Sequence, residues 1–282
     1  MGNNGIPTRT LGKTGEEVSI LGLGGYHIGK LPENESIELI REAINQGVTF
    51  MDNAWCYHQG YSEKVMGKAL QDGYRNKVFL MTKNHGRTKE RFNKQLNDSL
   101  KRLKTDYIDL LQLHEIINIG EPAKIDKEGV LEEALKAKKE GKIRYIGFTG
   151  HRYPLLHQQM LDLNFDWDTV QIPINVLDYH FRSFQNQIVP QAIEKDMAVI
   201  GMKSLASGHI FKTNITVKEA IRYSLSMPIS TLVSGIDSLE VLEQNLKIAR
   251  DFKPYTEEEL KALRERFKDV AYKGQHEYYK TE

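Results

Sequence analysis

The chain has 282 residues, and its 39 lysines and arginines nearly balance 38 aspartates and glutamates, which leaves a formal net charge of +1. A charge so close to zero argues against nucleic acid as the main partner. Hydrophobic residues make up 40% of the chain and charged residues 27%, which excludes the composition of a disordered protein. No apolar run approaches the roughly 18 residues of a membrane span and no signal segment is recognisable, so we expect a cytoplasmic protein without a membrane partner.

The amino-acid counts leave the number of domains open. At about 150 residues per domain the length predicts two, but barrels of alternating strands and helices reach about 250 residues as one unit. Cys56 is the only cysteine, so no intrachain disulfide can form. The pattern along the chain therefore has to decide the architecture.

Strands and helices alternate along most of the chain. Gly12 and Gly15 indicate an opening hairpin. Continuous short apolar runs suit parallel strands that are covered on both faces. Such runs predict strands at 18–25, 48–52, 77–83, 107–114, 143–149, 169–174, 198–202 and 229–234. Segments with a helical period predict helices at 33–46, 62–70, 88–103, 127–139, 154–163, 184–195 and 217–226.

Two further helices follow the last predicted strand. One covers 239–250, and a capping box of Thr256 and Glu259 opens the other. Residues 269–282 have little helical pattern, and we expect 270–282 to form a flexible tail. Without a linker or a shorter repeat, the pattern predicts one domain over 1–282. Its fold class is α/β, a (β/α)8 barrel with an N-terminal hairpin and extra C-terminal helices.

Ionisable residues stand where three neighbouring strands end. Asp52 closes the second strand, Lys83 the third and His114 the fourth. Tyr57 follows five residues after Asp52, in the next loop. Because the C-terminal strand ends of such a barrel carry its chemistry, these side chains are expected around one mouth.

The chemistry of this set is specific. A tyrosine hydroxyl is too weak an acid near neutral pH unless a nearby cation stabilises its phenolate, and Lys83 can supply that cation. Asp52 can hold the ammonium, and a neutral His114 can donate a hydrogen bond to a substrate carbonyl. A general acid beside an oxyanion-binding donor suits the reduction of a carbonyl by a hydride donor, or the reverse oxidation.

These residues stand in motifs that resemble the aldo-keto reductase family. The motifs are MDNAWCY at 51–57, GKAL at 67–70, MTK at 81–83 and DLLQLH at 109–114. The resemblance extends over about residues 11 to 245, and the order of the motifs is more specific than any one of them. It implies a (β/α)8 barrel that binds an extended nicotinamide dinucleotide without a Rossmann domain, with Tyr57 as proton donor.

The resemblance also assigns cofactor-binding positions. They are Gly24, Gly25, Tyr26, Thr149, Gly150, His151, Gln171, Met202, Lys203, Ser204, Leu205, Ser234, Gly235, Asp237, Gln244 and Asn245. Thr149 matches the position that bonds the nicotinamide carboxamide, and Gln171 falls in the family's Gln-x-x-x-Asn stretch after strand six. Residues 203–205 match the start of the loop expected along the pyrophosphate, and the positions from Ser234 to Asn245 match the adenosine end. Gly150 stands where the family usually has Asn, so one contact is missing unless His151 supplies it. Met202 replaces the aromatic ring that usually stacks on the nicotinamide.

The choice between NADP and NAD stays open at this stage. Many NADP-using members carry Arg at the position of Asp237, whose carboxylate would repel a 2′-phosphate and could bond ribose hydroxyls. This residue favours NAD, whereas the family usually prefers NADPH. Lys203 or Arg250 could still reach the phosphate.

The expected ligand is a small-molecule carbonyl compound, and Tyr26 and Trp55 are the candidate pocket residues. A second hypothesis is a regulatory subunit that holds the nucleotide with little turnover, because the fold also resembles channel-associated subunits. A metal-dependent hydrolase is a third hypothesis, although no His-x-His stands at a strand end, and no metal site is predicted. The substrate and the oligomeric state are left open.

Overall fold

The computed structural model describes residues 5–281, which begin with the predicted hairpin. Strands β1 (Thr8–Thr10) and β2 (Glu17–Ser19) pair antiparallel and close the N-terminal end of the barrel. Leu11 and Val18 are fully buried in the cluster that fills the barrel interior. Gly12 has φ +52°, and a Cβ there would lie 2.5 Å from the backbone nitrogen of Ala198, so both its conformation and its close approach require glycine.

Eight parallel strands form a closed barrel in the order β10-β3-β4-β5-β6-β7-β8-β9, which confirms the predicted fold. They are β3 (Leu21–Gly24), β4 (Phe50–Asp52), β5 (Phe79–Asn84), β6 (Ile108–Leu113), β7 (Ile143–Thr149), β8 (Thr169–Pro173), β9 (Ala198–Met202) and β10 (Thr231–Gly235). The predicted strand 18–25 was wrong in extent. Its first residues belong to the hairpin, and the barrel strand starts at Leu21.

Helices connect the strands on the outside. They are α1 (Gly25–Ile28), α2 (Glu33–Asn45), α3 (Tyr61–Ala69), α4 (Lys89–Leu103), α5 (Glu121–Lys127), α6 (Val130–Lys139), α7 (Pro154–Leu161), α8 (Phe184–Gln187), α9 (Val189–Glu194), α10 (Val217–Ser226), α11 (Leu239–Arg250) and α12 (Glu257–Ala271). Single turns of 3-10 helix lie at Gly12–Thr14, Tyr57–Gly60, Tyr74–Lys77 and Tyr278–Lys280, and a longer 3-10 segment lies at Ala206–Thr213. The predicted helix 127–139 is interrupted because Gly129 takes φ +68° between α5 and α6.

Two apolar clusters occupy the two sides of the strands. Inside the barrel, the ring of Phe79 lies between Phe50 and Tyr145, with ring centroids 5.6 and 6.1 Å apart. Side chains two residues apart on a strand share a face, so Asp52 points the same way as Phe50, one layer nearer the C-terminal mouth. The larger cluster, which includes Met51, packs between the strands and the helices.

The C-terminal segment after α12 differs from the predicted flexible tail. Tyr279 and Lys280 are buried, and the Lys280 ammonium donates to Asp178 at 2.6 Å and to Glu277 at 3.1 Å. The expectation for 270–282 is therefore corrected: 270 and 271 belong to α12, Glu277, Tyr279 and Lys280 are buried beside the mouth, and residue 282 lies outside the described part. A burial that depends on single charged contacts leaves no periodic pattern to recognise in the sequence.

Within the described range 5–281, the model contains no helix whose length and apolar character would allow it to cross a membrane.

Candidate active site

A buried ion pair forms the base of the mouth. Asp52 is at the end of β4 and Lys83 is on β5, and their side chains are almost completely buried. The ammonium donates to both carboxylate oxygens, at 2.8 and 2.7 Å, and to the backbone oxygen of Asn53 at 2.8 Å. Gln171 on β8 donates a further hydrogen bond to Asp52, at 2.8 Å. These bonds hold both charges in one orientation.

Tyr57 lies directly over this pair. It opens the 3-10 turn after β4, and its hydroxyl oxygen is 3.5 Å from the Lys83 ammonium. Burial raises the pKa of Tyr57 well above its usual value, and Asp52 raises that pKa further. The Lys83 ammonium lies beside the hydroxyl, where it can stabilise a phenolate, although its shorter contacts go to Asp52 and Asn53. The hydroxyl keeps its proton at neutral pH.

His114 follows β6 and faces the same space. Its ring centroid lies 6.0 Å from that of Tyr57, at an interplanar angle of 86°. Burial lowers the pKa of His114 well below its usual value, and the charge of Lys83 lowers it further. The imidazole is therefore neutral and can donate one hydrogen bond. The structure brings together the three residues predicted at the strand ends and Tyr57 from the following loop.

Two further side chains contact His114. The Cys56 sulfur lies 3.9 Å from Nδ1 of His114 and 3.0 Å from Nε2 of His85, and the two imidazole centroids are 4.4 Å apart. Burial raises the pKa of the Cys56 thiol to about 11, and burial lowers the pKa of His85. His85 was not among the residues predicted at the mouth. Its position two residues after Lys83 was the available signal, because it lies on the same face of the chain.

A polar network continues from His114 across the mouth. The Glu115 carboxylate lies 3.5 Å from Nε2 of His114 and 3.1 Å from Nε2 of His151. Arg87 donates to the backbone oxygen of His114 at 2.7 Å and forms an ion pair with Glu121 at 3.4 Å. The β5–α4 loop is thereby joined to the β6–α5 loop. Glu115 and Arg87 had no distinguishing sequence motif.

The residues predicted beside a nicotinamide carboxamide differ in what they offer. Gln171 is buried, and its side-chain oxygen has no hydrogen-bond partner, as an acceptor for an amide would require. Thr149 is buried at the end of β7. Both ring nitrogens of His151 are engaged, Nδ1 with the backbone oxygen of Tyr279 at 3.2 Å and Nε2 with Glu115. In this arrangement His151 does not replace the missing Asn.

Packing explains why position 150 is a glycine. A Cβ at this position would lie 2.6 Å from the backbone oxygen of Ile116 and 2.7 Å from the ring of His157. His157 is fully buried, and its Nδ1 lies 3.2 Å from the backbone oxygen of Tyr153. An Asn side chain does not fit beside this ring. The departure from the family pattern thus follows from the buried histidine.

The segment after β9 lies against the C-terminal tail. Met202 ends β9, and Lys203, with φ +56°, turns the chain into Ser204 and Leu205. The Lys203 ammonium is 4.6 Å from the ring centroid of Tyr279. Tyr279 of the C-terminal tail therefore packs against the start of the loop that is predicted to run along the pyrophosphate.

The ends of β3 and β10 meet on the other side of the mouth. Gly24 pairs with Gly235 between the two strands, and a Cβ on Gly24 would lie 2.8 Å from the Ser234 backbone oxygen. A Cβ on Gly25 would lie 2.6 Å from the Asp52 backbone oxygen, and one on Gly235 would enter the His27 ring. Packing within the protein therefore explains why these three positions lack a side chain.

The predicted adenosine end lies on α11. The side chain of Asn245 donates to Ser234 at 3.1 Å, and its buried oxygen has no hydrogen-bond partner. Gln244 is exposed on the same helix, and Asp237 is exposed just before the Ser238 N-cap. A cavity of about 220 Å³ opens here. Its lining is Leu31, Glu35, Glu38, Leu39, Asp237, Ser238, Leu239 and Glu240.

Arg250 does not reach this cavity. It is the last residue of the 12-residue helix α11, about 18 Å along the axis from the cavity. Its guanidinium donates to the side chain of Gln46 at 2.8 Å, near the end of α2. The proposed contact of Arg250 with a 2′-phosphate is therefore wrong, because the helix places it at the other end of the barrel.

The two predicted pocket residues differ in position. The ring of Tyr26 is half-exposed, with its centroid 5.4 Å from that of Tyr57, so it lines the mouth. The indole nitrogen of Trp55 donates to Asp98 at 3.2 Å, and Arg102 lies 5.3 Å from a Trp55 ring centroid. The polar contacts of the Trp55 side chain are thus with α4.

Comparisons with known proteins agree with this architecture. The family model described as "Aldo/keto reductase family" matches residues 20–220. The aldo-keto reductase YhdN of Bacillus subtilis is 33% identical over 218 residues, which cover 71% of this chain and 62% of that relative. The chain thus spans less than two thirds of that protein.

Solved structures match over almost the whole chain. The holo form of aldo-keto reductase AKR11C1 from Bacillus halodurans has a TM-score of 0.80 at 25% identity, covering 96% of this chain and 99% of its own. An aldo-keto reductase from Klebsiella pneumoniae in complex with NADPH has a TM-score of 0.77 at 25% identity, covering 93% and 95%. On its sequence and its fold, the chain belongs to the aldo/keto reductase family.

Proposed function

We propose that this protein reduces an aldehyde or ketone with a reduced nicotinamide dinucleotide, and that Tyr57 is the proton donor. The observation that carries the proposal is the position of the protonated Tyr57 hydroxyl, 3.5 Å from the buried Lys83 ammonium and opposite the neutral imidazole of His114. Two hydrogen-bond donors then converge on one substrate oxygen. The same residues serve the reverse oxidation.

Each residue has a separate task in this proposal. Tyr57 gives its proton to the carbonyl oxygen as negative charge develops there. Lys83 stabilises the phenolate that this leaves, because an ammonium close to a tyrosine oxygen favours its charged form. Asp52 holds the Lys83 ammonium in place and offsets the cost of its burial. His114 donates a hydrogen bond to the same carbonyl oxygen and orients the substrate.

The described residues fit a nicotinamide dinucleotide. Gln171 offers a buried acceptor for the carboxamide amide, and Asn245 offers another at the adenosine end, because the side-chain oxygens of both have no partner in the protein. Thr149 lies beside Gln171, since the two are paired between β7 and β8. The bound cofactor would supply the hydride. The side chains around it orient it and exclude water.

We further propose that NADH is preferred to NADPH. Four carboxylates, from Glu35, Glu38, Asp237 and Glu240, line the cavity between α2 and α11. A 2′-phosphate there would meet negative charge, whereas ribose hydroxyls could donate to a carboxylate. Lys30 and Lys203 bring positive charge to the neighbouring His27, but neither lines the cavity. A 2′-phosphate in the cavity would therefore face the carboxylates directly.

The substrate is expected to carry no negative charge near its carbonyl. Glu115, 3.5 Å from His114, would repel a carboxylate or phosphate at this position. We therefore propose a neutral aldehyde or ketone.

The test is fluorescence titration with NADH and NADPH, followed by a panel of neutral and carboxylated carbonyl compounds with oxidation of the cofactor as the readout. The proposal expects tighter binding of NADH and turnover with a neutral compound. Asp237→Asn should raise NADPH affinity about 3-fold by removing one exposed charge. The control is Glu243→Gln, an exposed carboxylate on α11 that does not line the cavity, which should leave both affinities unchanged.

The alternative, a regulatory subunit that holds the nucleotide without turnover, predicts a different result in the same experiment. Tight cofactor binding without oxidation by any compound in the panel, together with co-purification of a membrane partner, would favour it over the reductase. Failure to bind either nucleotide would contradict both.

A further inference from the structure

Three metal-binding side chains meet beside the proposed proton donor. The Sγ atom of Cys56 and one ring nitrogen each from His85 and His114 all lie within 4.8 Å of one another. The three residues come from different segments, the turn after β4, the loop after β5 and the end of β6. Carbonyl reduction, as proposed above, uses His114 alone among them.

The spacing of these atoms suits a tetrahedral cation. Zinc bonds of about 2.3 Å to sulfur and about 2.1 Å to nitrogen place sulfur and nitrogen ligands roughly 3.6 Å apart. The observed distances from the Cys56 sulfur are 3.0 Å to His85 and 3.9 Å to His114, on either side of that value. Small rotations of the side chains would bring all three into range.

The surroundings allow a cation to enter. Cys56 and His85 are half-buried, so solvent reaches this side of the cluster. The negative charge of Glu115 acts on both residues, against the positive charges of Lys83 and Arg87. Lys83 is itself neutralised by Asp52, and Arg87 by Glu121.

We propose that Cys56, His85 and His114 form a zinc-binding site and that zinc bound there inhibits the enzyme reversibly. One thiolate and two imidazoles are a ligand set that zinc favours, and water would take the fourth position. On binding, the Cys56 thiol releases its proton to solvent as the sulfur–metal bond forms. The Cys56 sulfur faces Nδ1 of His114, so the cation binds that nitrogen. Zinc then fixes the imidazole against Cys56 and His85 and adds positive charge beside Tyr57, so the ring can no longer turn to follow the substrate carbonyl.

The direct test uses Co²⁺ in place of zinc, on untagged protein. The proposal expects one Co²⁺ per chain, with a thiolate-to-cobalt absorption band that Zn²⁺ abolishes by competition and Mg²⁺ does not. Cys56→Ser should remove the band, and His85→Asn should weaken binding at least about 10-fold. The control, His276→Asn, changes a partly exposed histidine near the C-terminus and should behave as wild type. No band in the wild-type protein, or a band that survives in Cys56→Ser, would overturn the site.

The inhibitory role rests on the proposed function and is tested separately. Zn²⁺ should abolish carbonyl-dependent oxidation of the cofactor, a chelator should restore it, and His85→Asn should raise the inhibitory concentration at least about 10-fold. A protein that binds Co²⁺ as expected and turns over at the same rate with Zn²⁺ would contradict inhibition. A protein without turnover under any condition would contradict the proposed function, while the cobalt spectrum would still decide the site.

Discussion

Two lysines in this barrel, Lys83 and Lys280, have almost the same surroundings and different expected roles. Both are fully buried, and both donate two short hydrogen bonds to carboxylate oxygens. Lys83 lies at the end of a barrel strand, and Lys280 lies in the last turn of the chain. A buried lysine–carboxylate pair is therefore not by itself a sign of catalysis.

The neighbouring tyrosines show the difference. The hydroxyl of Tyr57 lies 3.5 Å from the Lys83 ammonium, and its ring borders the mouth. The hydroxyl of Tyr279 instead donates to the Glu277 carboxylate at 2.7 Å. Burial raises the pKa of both tyrosines well above the usual value, but Glu277 also holds the proton of Tyr279 in a hydrogen bond. In the proposed reaction Tyr57 transfers its proton to the substrate, whereas Tyr279 holds the tail in place through its hydrogen bond to Glu277.

The largest expected effect is on Lys83. Lys83→Met keeps the length of the side chain but removes the cation that stabilises the Tyr57 phenolate, so kcat/KM should fall about 10³-fold. The matched control is Lys280→Met, whose folded fraction should keep kcat within about 3-fold of wild type. The measurement is steady-state kinetics on protein shown to be folded by circular dichroism. If kcat/KM fell equally in the two variants, the assignment of different roles to Lys83 and Lys280 would be contradicted.

Lys280→Met should instead lower the free energy of unfolding. It leaves Asp178 and Glu277 buried without their cation, which costs about 3–5 kcal/mol of unfolding free energy. Urea denaturation of the wild type and the variant measures this difference. A loss below about 1 kcal/mol would mean that the tail contributes little to folding.

Tyr279→Phe should have a smaller effect. It removes the hydrogen bond to Glu277 and the one that Tyr279 accepts from Asn175, at 3.1 Å. The expected cost is about 1–3 kcal/mol, because the buried Glu277 carboxylate loses a donor. Thermal denaturation checks the value, and kcat should stay near wild type. A large loss of kcat would place Tyr279 in the reaction.

The smallest expected effect is a pH dependence of the Lys280→Met deficit. Burial raises the pKa of Glu277 in the folded protein, and Lys280 opposes that rise. A carboxyl with a raised folded pKa loses stabilising free energy as the pH increases. Without Lys280 this pKa rises further, so the deficit should be larger at pH 8 than at pH 5. If the stability deficit of Lys280→Met became smaller as the pH rises, the assignment of Glu277 as a buried carboxyl paired with Lys280 would be contradicted.

The same comparison shows what the sequence could predict. Asp52, Lys83 and His114 end regular strands, and the period of the strands places all three at one mouth. Lys280 pairs with Asp178 over 102 residues, and neither lies in a periodic segment. No local pattern encodes such a contact, so the buried tail was missed.

The other corrections have similar causes. Gly150 is explained only when His157 is placed against it, because the two come together through the turn before α7. His85 could have been found, since it shares the face of Lys83. Arg250 was placed wrongly because the prediction ignored the length of α11. The periodicity of the strands thus predicted the residues at the mouth, whereas the contacts between loops are visible only in the three-dimensional structure.

The most direct test of the central claim is the single-turnover rate of Tyr57→Phe with reduced cofactor already bound. The account predicts that oxidation of the cofactor by a carbonyl substrate slows about 10²-fold or more, while the cofactor dissociation constant stays as in wild type. Tyr272→Phe, at an exposed position beyond α12, is the matched control. A wild-type rate in Tyr57→Phe would contradict its assignment as the proton donor.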